Sequence, residues 1–291
     1  MSPPELPGVE NRFHDLATGV RAHVAHAGPP DAPAVVALHG FPQHWWMWRR
    51  VIAPLAGDVR VLAMDLRGQG WSGQPADADF RKARLADDAV ALLDALGIER
   101  ALLLGHDWGG WAGFIAATLR PERWTGLVAA GIAHPWPSAA TTLRTLPRLL
   151  YQPPIAAPVV GPRVVSRMVR QLLRSAWGDM RTYDAEAEDL YAARLADPAR
   201  ADAASRLYRA FLLREAGRTR LPRLRVPARL LFGRLDPLGT QIAEGLERHG
   251  DDARTVLVDR AGHFVPEERP DAVVDAVREL LAAQGASRNG G

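Results

Sequence analysis

The 291-residue chain contains no cysteine. That excludes disulfide cross-links, a thiol nucleophile and zinc–thiolate sites. Lysine is almost as scarce, with Lys82 the single lysine among 36 basic residues. The net charge is only +3, and the arginines are scattered through 144–181 and 206–229 rather than gathered in one block. Nucleic-acid binding asks for a basic face interleaved with stacking aromatics. A solvated arginine-rich surface with buried stems is the simpler reading, so no nucleic-acid partner is expected. No run of about 18 apolar residues occurs, so no helix is expected to cross a membrane. Met1-Ser2-Pro3-Pro4-Glu5 lacks the basic-then-apolar order of a secretion leader, and a cytoplasmic location is the expectation. Tyrosine is sparse as well: four occur, all between Tyr151 and Tyr208.

What is present is 47% hydrophobic sequence, enough for a large core. Val20 to Ala27 reads as a strand. Ala34–Leu38, Arg60–Met64, Ala101–Leu104 and Gly126–Ile132 are short continuous apolar runs, the mark of strands buried on both faces. Helical periodicity lies between them, including Leu85–Leu96 and Trp111–Leu119. Such alternation predicts a mostly parallel sheet with helices on both faces. From Trp136 to about Leu224 there is no buried strand, only Leu-, Arg- and Ala-rich helical stretches broken by proline and glycine. Alternation resumes with a strand at Ala228–Gly233, a helix over Thr240–His249, a strand at Thr255–Val258 and a closing helix from Pro270 to Ala283. The division expected is a core of 1–135 and 225–284, a helical cap of 136–224, and a disordered tail of 285–291.

Sites in open α/β sheets form outside the carboxyl ends of the strands. The residues standing there are His39-Gly40-Phe41-Pro42, Asp65, Asp107, His134, Asp236 and His263. Asp107 sits in Gly105-His106-Asp107-Trp108-Gly109-Gly110, where a strand turns sharply into a helix. That is the setting in which a G-x-S-x-G turn exposes a nucleophile, here with a carboxylate in place of the hydroxyl. A carboxylate so placed attacks saturated carbon and becomes an alkyl ester. Asp107, Asp236 and His263 follow the chain order nucleophile, acid, base. The alternatives are structural: Asp107 as a helix N-cap, Asp236 as a turn residue before Pro237, His263 as a surface histidine. Asp259 is nearer His263 in sequence but stands at the end of its strand. His39 and His106 belong to motif turns and are expected to be structural. His23 and His26 lie on opposite faces of one strand and make a poor metal pair, so no metal site is expected.

His39-Gly40-Phe41-Pro42, Gly105-His106-Asp107-Trp108-Gly109-Gly110, Asp65-Leu66-Arg67-Gly68 and Gly262-His263-Phe264 together resemble the epoxide hydrolases of the α/β-hydrolase fold, over nearly the whole chain. The resemblance implies a helical cap inserted after the sixth strand. It implies an oxyanion hole formed by the backbone N–H groups of Phe41 and Trp108. It also implies two cap tyrosines holding the epoxide oxygen, for which Tyr151 and Tyr208 stand in the matching contexts, Tyr151 before a proline turn and Tyr208 beside an arginine on a late helix. A phenol can donate to a developing alkoxide while staying neutral at pH 7. The expected pocket lies between cap and core, lined by Phe41, Trp108, Trp136 and Phe264. The reaction expected is hydrolysis of a small-molecule epoxide to a vicinal diol without cofactor, by a monomer or homodimer. A haloalkane or haloacid dehalogenase of the same fold is the nearest alternative. Against it stand Phe41, where haloalkane dehalogenases carry Asn, and Trp108, where fluoroacetate dehalogenases carry Arg. A non-catalytic ligand-binding protein on a hydrolase scaffold is the alternative from another class.

Overall fold

The computed structural model describes residues 1–217 and 220–289. Eight strands form one sheet in the order β1-β2-β4-β3-β5-β6-β7-β8. They are β1 (Val9–Asp15), β2 (Arg21–Ala27), β3 (Ala34–Leu38), β4 (Arg60–Met64), β5 (Ala101–His106), β6 (Trp124–Ala130), β7 (Ala228–Gly233) and β8 (Ala253–Val258). The β1–β2 and β2–β4 pairs are antiparallel and all others parallel. Every residue of β3 and β5 is buried, as their unbroken apolar runs require.

The helices are α1 (Arg49–Leu55), α2 (Lys82–Ala95), α3 (Trp108–Leu119), α4 (Ala139–Thr145), α5 (Gln152–Ala156), α6 (Val160–Ala176), α7 (Ala185–Leu195), α8 (Pro198–Ala210), α9 (Val265–Glu268) and α10 (Pro270–Asn289). Helix α2 packs on α3, and α1 packs on α9 and α10. Helices α4 to α8 all lie between β6 and β7, with a π-helical turn at Phe211–Glu215 closing the insertion. Within it α6 packs against α5, α7 and α8, burying Val165, Val169 and Leu173, which recur every four residues along one face.

One strand carries no expectation from the sequence, and two local expectations differ from the structure. The edge strand β1, Val-Glu-Asn-Arg-Phe-His-Asp, carries too few apolar residues to signal itself and is held by its register on β2. The helix expected over Thr240–His249 is two short 3-10 turns, Thr240–Ile242 and Leu246–His249, separated at Gly245, whose φ of +92° breaks any helix. The closing helix runs past Ala283 to Asn289, so the tail expected to be disordered is helical over most of its length; Gly290 and Gly291 lie outside the described residues.

Candidate active site

The turn from β5 into α3 leaves Asp107 with φ +47° and ψ −121°, a strained conformation for a residue with a Cβ. Its neighbours explain how the turn closes. A Cβ on Gly105 would lie 2.6 Å from the Gly109 carbonyl oxygen, and one on Gly109 would lie 2.2 Å from that of Leu38. Only glycine lets α3 approach β3 and β5 this closely. Asp107 makes no side-chain cap to α3, which removes the reading of it as an N-cap.

The Asp107 carboxylate is instead held from the β3 side. The Phe41 N–H donates to its Oδ2 at 2.9 Å, and the Trp108 N–H also acts on the carboxylate. The two backbone donors named from the sequence thus both act on this carboxylate, Phe41 through Oδ2. Burial pushes the Asp107 pKa up to about 6, against the opposing pull of His263, the two N–H groups and Lys82.

His263 and Asp236 meet as their order in the chain suggests, with Nδ1–H donating to Asp236 Oδ2 at 3.0 Å. The other Asp236 oxygen accepts from the Leu238 N–H at 2.8 Å, so this carboxylate is aimed rather than loose. Burial works against the imidazolium, but Asp236, Asp107 and Glu268 outweigh it and push the His263 pKa up to about 9. Asp259 turns away and pairs with Arg234 at 2.5 Å. The loop bearing His263 is pinned from the insertion, since its N–H donates to the Ala176 carbonyl at 2.8 Å. The His106 ring, kept neutral by burial, donates Nε2–H to the His263 carbonyl at 3.0 Å.

Tyr151 and Tyr208 come from different parts of the insertion and face each other with ring centres 6.3 Å apart. Both line the cavity that holds Asp107, Asp236 and His263. Burial, with the Asp107 charge nearby, raises both phenol pKa values, that of Tyr151 to about 12. Both are therefore neutral donors at ordinary pH. Tyr208 packs edge-on against Phe41 at 5.3 Å and against Trp108 at 5.1 Å. The Trp108 indole N–H comes near enough to the Tyr208 hydroxyl to weigh on that phenol, but makes no hydrogen bond in good geometry.

The cavity encloses about 270 Å³. Phe41 and Phe264 line it as expected. Trp136 does not. Its indole N–H donates to the Leu221 carbonyl at 2.8 Å and its ring stacks on His249 at 5.0 Å, away from Asp107. An aromatic just after a strand end carries no sign of which way it turns, and here the His134 ring accepts the Trp136 N–H and turns it aside. The Trp108 ring backs Tyr208 rather than lining the space. Missed from the sequence were Leu172, Ser175 and Ala176 of α6, and Arg148 and Leu238. The three α6 residues share one helical face, and the signal was that spacing beside the buried stripe of the same helix.

The remaining strand-end residues are structural. Asp65 accepts from the Trp45 and Trp71 N–H groups at 2.8 and 2.9 Å and pairs with the His23 ring at 2.8 Å. His39 Nε2 accepts from the Leu66 N–H at 3.0 Å. Among the described residues no three His, Asp or Glu gather as a metal site, and no helix is long and apolar enough to cross a membrane.

Residues 33–270 match the alpha/beta hydrolase fold family. The chain belongs to that family and is a hydrolase, with epoxide hydrolases among its homologues. It is 32% identical over 289 residues to the AB hydrolase superfamily protein YfhM of Bacillus subtilis (strain 168), covering 96% of this chain and all of that one. It is 30% identical over 308 residues to Epoxide hydrolase A of Mycobacterium tuberculosis, covering 90% of this chain and 94% of that one. A solved structure from a study of novel epoxide hydrolases in metagenomes from hot environments superposes with a TM-score of 0.80 at 29% identity, covering 94% of this chain and 98% of its own.

Proposed function

We propose that the chain is an epoxide hydrolase that works through an alkyl ester on Asp107, with α4 to α8 acting as the cap. One observation carries the reading. Two neutral phenols, Tyr151 and Tyr208, share a cavity with a carboxylate whose second oxygen is already held by the Phe41 N–H. A phenol pair facing a nucleophile suits a leaving group that departs as an alkoxide, because an alkoxide gains from a proton donor and a halide does not.

In the first step the Asp107 oxygen not held by the Phe41 N–H attacks one ring carbon from the side opposite its C–O bond. The C–O bond breaks, its electron pair goes to the epoxide oxygen, and a tyrosine hydroxyl supplies the proton. The product is a hydroxyalkyl ester of Asp107. Forming it removes one of the anions that hold His263 protonated, so His263 moves toward the neutral base. In the second step His263, oriented by Asp236, takes a proton from water. The hydroxide attacks the ester carbonyl carbon, and the Phe41 and Trp108 N–H groups hold the resulting oxyanion. Such a donor is worth about 3 kcal/mol where measured. The bond between the acyl carbon and the alkyl-bearing oxygen then breaks, that oxygen takes the remaining water proton, the proton on His263 returns to the ionised tyrosine, and the diol leaves with the Asp107 carboxylate restored. At about 270 Å³ the cavity is at the small end for ligand sites, which favours a compact epoxide.

The dehalogenase reading keeps one point in its favour, the buried Trp108 indole N–H that lacks a hydrogen-bond partner. A product assay on styrene oxide, a longer epoxide and a haloalkane separates the two. Diol from an epoxide with no halide release supports the proposal; halide release with inert epoxides overturns it.

A further inference from the structure

The chain uses arginine for its positive charge everywhere but one place. Its single lysine, Lys82, is completely buried at the start of α2. An arginine can seldom replace a lysine where a compact point charge is needed, since its planar fork is larger and differently shaped.

The Lys82 ammonium lies 4.2 Å from the centre of the Trp108 ring and 5.1 Å from that of Phe211, within cation–π range of both. Its Nζ donates to the Leu207 carbonyl at 2.5 Å. Leu207 precedes Tyr208 near the carboxyl end of α8, where a cation is favoured by the helix dipole. Beyond it the chain passes into the π-helical turn Phe211–Glu215, whose wider coil needs support from outside the helix. Glu215 closes that turn back onto Lys82, accepting from the Lys82 backbone N–H at 2.8 Å and lying 3.4 Å from Nζ. One side chain therefore touches the tryptophan beside Asp107 and the backbone beside Tyr208.

We infer that Lys82 is a positioning residue that ties the Asp107 turn to the cap helix carrying Tyr208, its buried ammonium lying over the Trp108 ring on one side and on the Leu207 carbonyl on the other. This rests on the proposed roles of Asp107 and Tyr208. The charged groups facing the ammonium are Glu215 from the π-helical turn and Asp107 from the β5–α3 turn. The electrostatic link runs both ways. Lys82 lowers the Asp107 pKa, and Asp107 in turn favours the ammonium. Burial nonetheless pushes the Lys82 pKa down to about 8.

Lys82→Met keeps the length of the chain and removes the charge. The acid limb of its kcat/KM profile moves to higher pH, because the charge that lowers the Asp107 pKa is gone, and kcat falls at least tenfold with KM little changed. Lys82→Arg keeps the charge and leaves the acid limb at the wild-type pH. A wild-type acid limb in Lys82→Met overturns the inference, because a residue that only filled space would leave the limb in place. A second measurement needs neither variant to fold and no epoxide to turn over. Isotope labelling at lysine Cε gives one NMR signal, since only one lysine exists. That signal should titrate well below the ordinary lysine value of about 10.4 and move to lower pH in Asp107→Asn. Titration at the ordinary value, without response to Asp107→Asn, overturns the inference even if the enzyme opens epoxides. Coupling with no epoxide turnover would instead fault the proposed function and leave the link between Lys82 and Asp107 standing.

Discussion

Tyr208→Phe isolates one hydroxyl. The ring of Tyr208 is 2% exposed and wedged against Phe41, Trp108 and Tyr151. Phenylalanine keeps each of those ring contacts, so the cost to folding is that of one hydrogen bond, about 1 kcal/mol. The effect on catalysis is larger. A donor aimed at developing oxyanion charge in a buried site contributes about 2.7–4 kcal/mol, which is roughly a hundred- to a thousand-fold in rate. Tyr151 remains to donate, so the single variant falls near the lower bound and the Tyr151→Phe, Tyr208→Phe pair falls well beyond it. The loss must lie in ester formation, not in ester hydrolysis, because the phenols act on the leaving oxygen of the first step only. Rapid-quench diol analysis, with intact-protein mass spectrometry to follow the ester, reads both steps. A double variant that opens epoxides at the wild-type rate, or one that accumulates ester, would refute the role given to the tyrosines.

Other consequences follow from the geometry. The kcat/KM value should fall as pH drops below about 6, where Asp107 takes up its proton. In single turnovers, ester hydrolysis should rise with pH along a limb below about 9, because the ester lacks the Asp107 charge that helps hold His263 protonated; a limb at or above that value would contradict the assignment. Gly40→Ala places a Cβ 2.4 Å from that of Asp107 and 2.7 Å from its Oδ2, so ester formation should be lost while the circular dichroism spectrum stays native. Asp65→Ala leaves two buried N–H groups without their acceptor, at about 1–3 kcal/mol each, and should lower the Tm without moving the pH profile of activity. The Asp65 pKa is held well below the usual carboxylate range, burial being outweighed by the hydrogen-bonded His23 ring and the charges of His39 and His44. Its stabilisation is therefore present above the ordinary aspartate pKa and lost as pH falls through the depressed one; a Tm indifferent to Asp65→Ala would show that the loops are held by other contacts.

Much of the site was legible because strain and close approach leave marks in composition. The Asp107 turn needs glycines on both sides, and these made Gly105 to Gly110 stand out. Asp236 and His263 were found from their order along the chain, and the 3.0 Å contact between them supports that order. Orientation was not legible. Trp136 and Phe264 look alike in sequence, yet one turns to the cavity and the other to His249, decided by hydrogen bonds to His134 and Leu221. The 240–249 segment has helical composition, but Gly245 takes a conformation that ends the helix. The β1 strand lacks an apolar signature because its place is set by pairing at the sheet edge rather than by burial. Lys82 stood out only as a rarity; its meaning required knowing that α2 begins beside Trp108 and the end of α8.

In the proposed reaction Asp107 becomes covalently attached to the substrate. A single turnover in heavy-oxygen water, followed by peptide mass spectrometry and diol analysis, tests it directly. Label should enter the Asp107 carboxylate in the first turnover and appear in the diol only in later turnovers. Label entering the diol at once, with none in Asp107, would contradict it.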